Sequence, residues 1–158
     1  KLGHYLLLKY IETYKHNQYY YTLSPIPLFT TWIKQQQNQP LSLASFFHQD
    51  HIVYINDHID HDDQEFNFNQ SLWYFIQDIV LKKQVYYHLD YIKDSLMALS
   101  LYYLKFATVN GTKLYDPVAN FHMKVNGAKL YRLNWKANTS RKGYQSSLGI
   151  MVNYTYNN

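Results

Sequence analysis

The chain has 158 residues, of which 47% are hydrophobic, 18% aromatic and 16% charged, with a net charge of +4. This length predicts one domain, and a chain so rich in aromatic residues and so poor in charge is not disordered. No run of about 18 apolar residues occurs, which argues against a membrane-spanning helix. The absence of cysteine excludes disulfides, cysteine-ligated zinc and a cysteine nucleophile.

The charges are unevenly distributed. Segment 117–158 carries six Lys and Arg residues and no acid, whereas segment 50–65 carries six acids and no Lys or Arg. A basic region of this kind could meet phosphates, a nucleic acid or an acidic protein, but charge alone favours a solvated basic face. The chain starts at Lys1 without Met, so we expect it to be a piece of a longer protein.

The first half of the chain predicts two helices around one strand. Leu2, Leu6 and Tyr10 share a helical face, a Tyr-rich run favours a strand, and the prolines that follow Ser24 end it. The predicted elements are a helix over 3–15, a strand over 18–23 and a helix over 27–36. The His- and Asp-rich stretch 48–63 is predicted to be loop, with a possible short strand over 52–55.

The second half predicts helices followed by strands. Apolar spacing indicates helices over 71–81 and 89–104, and Asp116-Pro117 resembles an N-cap that opens a short helix through His122. Asn110-Gly111 and Asn126-Gly127 predict turns. Alternating residues predict strands over 128–135 and 150–156. The order of elements predicts an α/β (α+β layered) domain.

Few residues indicate chemistry when each is considered alone. The cluster between His48 and Asp63 has residue types that bind metals, but no motif fixes a third ligand, so a polar loop is favoured over a metal site. Ser24 follows a strand and could cap the next helix or bond a turn amide. His122 could be a helix-terminal histidine, and Tyr156 is one of 18 tyrosines.

Five sequence blocks, taken together and in order, resemble the catalytic domain of malonyl-CoA decarboxylases. The resemblance covers essentially the whole chain and is weakest over 35–71. The blocks are Thr22-Leu23-Ser24-Pro25-Ile26-Pro27, Asp116-Pro117-Val118-Ala119-Asn120-Phe121-His122, Asn126-Gly127-Ala128, Leu133-Asn134-Trp135 and Gly149-Ile150-Met151-Val152-Asn153-Tyr154-Thr155-Tyr156.

This resemblance implies an enzyme that converts malonyl-CoA to acetyl-CoA and carbon dioxide without a metal or organic cofactor. It implies part of a GNAT-type acyltransferase fold, with a mixed sheet flanked by helices. Residues 1–158 would be the C-terminal part of the catalytic domain, without the N-terminal helical domain and the early strands. A homo-oligomer could form through that helical domain.

The resemblance also assigns residue roles. Ser24 matches the catalytic serine, His122 the catalytic histidine and Tyr156 a tyrosine near that histidine, and the first two would contact the substrate. The residues expected at the end of the CoA-contacting loop are Lys1, Leu2, Gly3 and His4.

Three departures from the family pattern stand out. Lys1 replaces a Glu, Leu28 replaces a Gly, and one extra residue lies between His122 and Asn126. Arg141 and Lys142 are further candidates for phosphate contact because of their charge.

Three alternatives remain open at this point. The chain could be another acyl-CoA-dependent acyltransferase of the same fold, a single-strand nucleic-acid binder that uses stacked tyrosines, or an inactive truncated copy. We expect no nucleic-acid or membrane partner. We expect an intracellular location, the cytoplasm first, with the mitochondrion or peroxisome possible in a eukaryote.

Overall fold

A three-stranded antiparallel sheet is the centre of the fold. The computed structural model describes residues 19–60 and 65–157. The strand order in this sheet is β1-β5-β4, and a separate two-stranded hairpin pairs β2 with β3. The strands are β1 (Tyr19–Tyr21), β2 (Thr108–Val109), β3 (Lys113–Leu114), β4 (Lys129–Asn134) and β5 (Met151–Asn157).

Helices account for most of the remaining structure. The α-helices are α1 (Phe29–Gln35), α2 (Gln49–Asp57), α3 (Phe68–Tyr74), α4 (Lys93–Phe106), α5 (Pro117–Ala119) and α6 (Arg141–Ser147). Two π-helices continue α3 and α5, over Phe75–Leu81 and Asn120–Val125, and 3₁₀ turns cover Gln36–Asn38, Leu43–Phe46 and Tyr86–Ile92. Among the described residues, no helix is long and apolar enough to cross a membrane.

The core lies between β5 and the helices. Val152, Tyr154 and Tyr156 alternate along β5 and are buried, as the period of two predicts for a strand with one covered face. Phe29 of α1 is fully buried, and its ring centroid lies 5.3 Å from that of Tyr103 in α4. The predicted layered α/β arrangement is therefore confirmed.

Most predicted elements are confirmed, with shifted ends. The predicted helix over 71–81 begins at Phe68 and changes from α to π at Phe75. The predicted helix over 89–104 is a 3₁₀ turn followed by α4. The predicted strand over 128–135 is β4, in which a bulge between Leu130 and Arg132 interrupts the alternation and leaves Tyr131 exposed. The predicted helix over 3–15 lies outside the described residues.

One prediction about local structure was wrong, and one helix was missed. The described part of the predicted loop, residues 48–60, is not a loop with a strand, because residues 49–57 form α2. Ile52 and Ile55 of α2, and Ile59 two residues beyond its end, recur at i, i+3 and i+7, a helical spacing, and Ile55 and Ile59 are buried. Helix α6 was not predicted: Ser140 caps it by accepting a hydrogen bond from the Gly143 N–H at 3.0 Å, but its sequence has few apolar residues to reveal a periodic face.

Candidate functional site

Backbone pairing with β5 fixes Ser24. The Ser24 N–H donates to the Val152 carbonyl at 2.8 Å, and the Val152 N–H donates to the Ser24 carbonyl at 3.0 Å. Two residues earlier, the Thr22 N–H donates to the Tyr154 carbonyl at 2.9 Å. Ser24 therefore extends the pairing of β1 beyond the strand itself and does not cap α1, whose N-terminus has no side-chain cap.

A capped helical segment positions His122. Asp116 accepts a hydrogen bond from the Ala119 N–H at 2.8 Å, and Pro117 occupies the first helical position, as the sequence predicts. At the other end, the Ala128 N–H donates to the His122 carbonyl at 2.8 Å. The backbone around His122 is thus held on both sides.

The three predicted catalytic residues meet at one place in the fold. The Ser24 Oγ lies 3.3 Å from His122 Nε2, and the Tyr156 hydroxyl oxygen lies 2.6 Å from His122 Nδ1. One directed chain satisfies these contacts: the Tyr156 O–H donates to Nδ1, Nε2–H donates to Ser24, and the Ser24 hydroxyl donates to Thr22 Oγ1 at 3.0 Å. This arrangement assigns the neutral imidazole its proton on Nε2.

The site is buried, and burial sets its protonation. Ser24, His122 and Tyr156 have 5%, 6% and 7% of their surface exposed. Burial lowers the pKa of His122 from its ordinary value of 6.5 to about 4 and raises the pKa of Tyr156 to about 12, because a low-polarity environment disfavours both charged forms. At neutral pH the imidazole is therefore neutral and the phenol protonated.

This shift predicts an acid-dependent loss of stability that belongs to His122. Between about pH 6.5 and pH 4 the unfolded chain binds a proton at His122 that the folded chain does not, so stability falls as the pH falls through this window. Unfolding of the parent and of His122→Gln in urea at pH 7 and pH 4.5 measures it. We expect the parent to lose roughly 2 kcal/mol more than the variant on acidification.

The comparison between the two proteins isolates His122 from the other titrating groups. Burial also raises the pKa of Asp116 to about 6, which gives the opposite slope, but Asp116 is present in both proteins and its effect cancels. Equal losses of stability in the parent and the variant would contradict the assigned shift.

Comparison with known proteins identifies the family of this chain. The family model for the malonyl-CoA decarboxylase C-terminal domain matches residues 2–158. The chain belongs to the malonyl-CoA decarboxylase family. The family resemblance of the sequence blocks is thereby confirmed.

Relatives and solved structures of this family support the assignment. Mitochondrial malonyl-CoA decarboxylase of Anser anser anser is 30% identical over 166 aligned residues, which cover 99% of this chain and 31% of that protein. The Rattus norvegicus protein of the same name is 48% identical over 65 residues, 41% of this chain and 13% of that protein. The crystal structure of malonyl-CoA decarboxylase from Cupriavidus metallidurans matches with a TM-score of 0.64 at 28% identity, over 98% of this chain and 36% of that one.

These matches confirm the fold that the resemblance implied, part of a layered α/β domain of the GNAT type. The chain spans 31% of the Anser relative and 36% of the Cupriavidus structure, about a third of the length in each case.

The structure accommodates two of the three departures from the malonyl-CoA decarboxylase pattern. Leu28 has a φ of −123°, a conformation open to any residue, so replacing a glycine there adds no backbone strain. The extra residue after His122 falls in the π-helix, where the Asn126 N–H donates to the Phe121 carbonyl five residues earlier at 3.2 Å. A π turn holds one residue more than an α turn. Lys1, Leu2, Gly3 and His4 lie outside the described residues, so the expected CoA contacts at the start of the chain stay predictions.

A cavity of about 290 Å³ lies beside the Ser24 segment. Pro25, Ile26 and Pro27, which directly follow Ser24, line one wall, and Lys142 and Ser146 of α6 line another. The cavity combines a largely apolar segment with an exposed cationic side chain. A site of this kind suits a chain-like ligand with an anionic group.

Two neighbours of the site were not singled out from the sequence. Thr22 accepts from both the Ser24 hydroxyl and the Tyr154 N–H, at 3.0 and 3.1 Å. The Tyr154 ring stacks on the His122 imidazole. Both residues lie two positions from a predicted site residue on an extended segment, and residues at i and i+2 share a face of a strand. That spacing is the signal that could have found them.

Histidines in the described part of the His- and Asp-rich segment, residues 48–60, are involved in packing. His51 Nδ1 lies 2.5 Å from the Ser95 Oγ, and His58 Nδ1 donates to the Tyr54 carbonyl at 2.7 Å. Within residues 19–60 and 65–157, no group of three or more His, Asp or Glu side chains is arranged to hold a metal ion. His61, Asp62 and Asp63 lie outside this part of the chain.

Proposed function

We propose that this chain forms the catalytic part of an enzyme that decarboxylates malonyl-CoA to acetyl-CoA and carbon dioxide. The observation that carries the proposal is the buried contact of His122 with Ser24 on one ring nitrogen and Tyr156 on the other, in a member of this family. Because the chain spans about a third of the relatives it matches, the activity is proposed for the full-length protein that carries it.

The proposed reaction has two steps. The bond between the malonyl carboxylate carbon and C2 breaks, carbon dioxide leaves, and the electron pair of that bond moves into the thioester as an enolate. C2 then takes a proton from His122 Nε2, which gives acetyl-CoA, and solvent returns a proton to the imidazole. The thioester itself holds the negative charge that forms, so we propose that no metal or organic cofactor takes part.

Ser24 would stabilise the enolate. Its hydroxyl can turn from Thr22 to the thioester oxygen, where negative charge develops, and a donor fixed in a buried site is most effective at that point. The Ser24 Oγ lies 3.3 Å from His122 Nε2. A thioester oxygen bound to Ser24 would therefore lie beside the proton donor, Nε2. No acyl-enzyme is needed in this reaction, so the serine would act as a hydrogen-bond donor and not as a nucleophile.

Substrate binding would prepare His122 for proton transfer. Its imidazole is neutral in the buried site, since burial lowers its pKa to about 4. An adjacent malonyl carboxylate would raise this pKa, because an opposite charge nearby favours the protonated ring. The Tyr156 hydroxyl would then rotate and accept the Nδ1–H, which keeps the imidazolium oriented toward C2.

The CoA moiety would lie along the cavity next to the Ser24 segment. Lys142 lines that cavity, and it and Arg141 are exposed on α6, so both remain our candidates for contact with the CoA phosphates. Lys1, Leu2, Gly3 and His4 remain our candidates for contact with CoA at the start of the chain.

The products of the full-length protein test this proposal. With malonyl-CoA as the sole substrate, we expect one carbon dioxide and one acetyl-CoA for each malonyl-CoA consumed, measured as trapped labelled carbon dioxide and by chromatography of the thioesters. The acyltransferase alternative predicts a different outcome, in which an added amine is acylated and no carbon dioxide is released.

A further inference from the structure

Contacts surround the His122 imidazole in its plane and on a face. Ser24 and Tyr156 contact its two nitrogens, whose N–H and lone pair lie in the plane of the ring. The Tyr154 ring covers a face, with centroids 4.6 Å apart and planes 23° from parallel. In-plane hydrogen bonds at two nitrogens still allow the ring to tilt about the line between them, whereas a stacked ring resists that tilt.

Strand β5 supplies both tyrosines. Tyr154 and Tyr156 are two residues apart and point to the same face of the sheet, and both are buried. Tyr156 uses its hydroxyl to contact His122. Tyr154 uses its ring, since its buried hydroxyl has no hydrogen-bond partner among the described residues.

Tyr154 is itself firmly held. Its side chain is fully buried, its N–H donates to Thr22 Oγ1 at 3.1 Å, and its carbonyl accepts from the Thr22 N–H at 2.9 Å. Thr22 in turn accepts from Ser24. The backbone of Tyr154 is therefore fixed relative to the segment that carries Ser24, and burial restricts the ring that covers the imidazole.

We propose that Tyr154 is a positioning residue, whose stacked ring keeps the His122 imidazole in the plane where Nε2 faces Ser24 and Nδ1 faces Tyr156. The structural part of this proposal concerns the free protein and needs no substrate. Its consequence for the rate rests on the proposed function, because a misaligned imidazole would no longer point its proton at C2.

Nitrogen-15 NMR of the His122 ring tests the structural part. In the parent we expect one locked neutral tautomer, protonated on Nε2. In Tyr154→Leu we expect averaged nitrogen shifts from a mobile ring, and in Tyr154→Phe we expect the parent pattern to return. If Tyr154→Leu does not fold, Tyr154→Met serves the same purpose, because its longer side chain fills more of the space without a ring.

The full-length protein tests the consequence for catalysis. We expect Tyr154→Leu to lower kcat for carbon dioxide release by about tenfold with little change in KM, and Tyr154→Phe to recover most of that loss. Phe29→Leu is the matched control: it also shortens a buried aromatic side chain and should change neither the NMR pattern nor kcat.

Each outcome bears on the proposal in a defined way. A locked tautomer in Tyr154→Leu would overturn it, and so would an equal loss of order in Tyr154→Phe, which would assign the effect to the hydroxyl. If the parent has no decarboxylase activity but the NMR pattern changes as expected, the proposed function fails and the positioning role stands.

Discussion

Replacement of His122 with Ala in the full-length protein is expected to lower kcat for carbon dioxide release by about 10²–10⁴-fold, the usual contribution of a positioned acid or base. The physical reason is that Nε2 would be the proton donor to C2, and no other described imidazole contacts Ser24. KM should change much less, because the loss falls on the transition state. The assay is initial-rate release of labelled carbon dioxide over a range of malonyl-CoA concentrations.

The control for this variant is His58→Gln. His58 is exposed, directly follows α2, and donates from its Nδ1 to the Tyr54 carbonyl. We expect this variant to keep the parent rate. Full activity in His122→Ala, with the protein folded as judged by circular dichroism, would remove His122 from the mechanism.

Replacement of Ser24 with Ala is expected to lower kcat by about 10²–10³-fold, the cost of removing one donor to a developing oxyanion. The backbone of Ser24 would stay in place, because its two hydrogen bonds with Val152 use main-chain atoms only. The loss should therefore reflect the hydroxyl alone. Ser45→Ala, which removes an exposed hydroxyl, is the matched control, and equal rates for the two variants would contradict the proposed role.

The sequence predicts which residues form the site better than it predicts the distances between them. The alternation along β5 places Val152, Tyr154 and Tyr156 on one face, and the Asp116-Pro117 cap predicts the start of the helix that carries His122. Both follow from local rules of spacing and capping. The contact between Ser24 and His122 joins residues 98 positions apart, and no local rule gives that distance. The family resemblance predicted only that the two residues belong to one site.

The elements that were predicted wrongly or missed also have physical causes. In α2, polar residues on the exposed side hid a helical repeat of only two isoleucines, with a third just beyond the end of the helix. In α6, a short helix is stabilised by its cap and by contact with α1: the Thr30 hydroxyl donates to the Gln145 carbonyl at 2.5 Å. Such a tertiary contact leaves no periodic pattern in the sequence. The π-helix around His122 was also invisible, because its extra residue changes the hydrogen bonding and not the residue types.

The central claim is that Ser24 and His122 act together on one step of malonyl-CoA decarboxylation. A double-mutant cycle in the full-length protein tests it most directly, with kcat for carbon dioxide release measured for the parent, Ser24→Ala, His122→Ala and the double variant. Residues that work as a unit give non-additive losses, so we predict a double variant no more than a few-fold slower than His122→Ala. A double variant in which the two losses multiply would show that the residues act independently and would contradict the account.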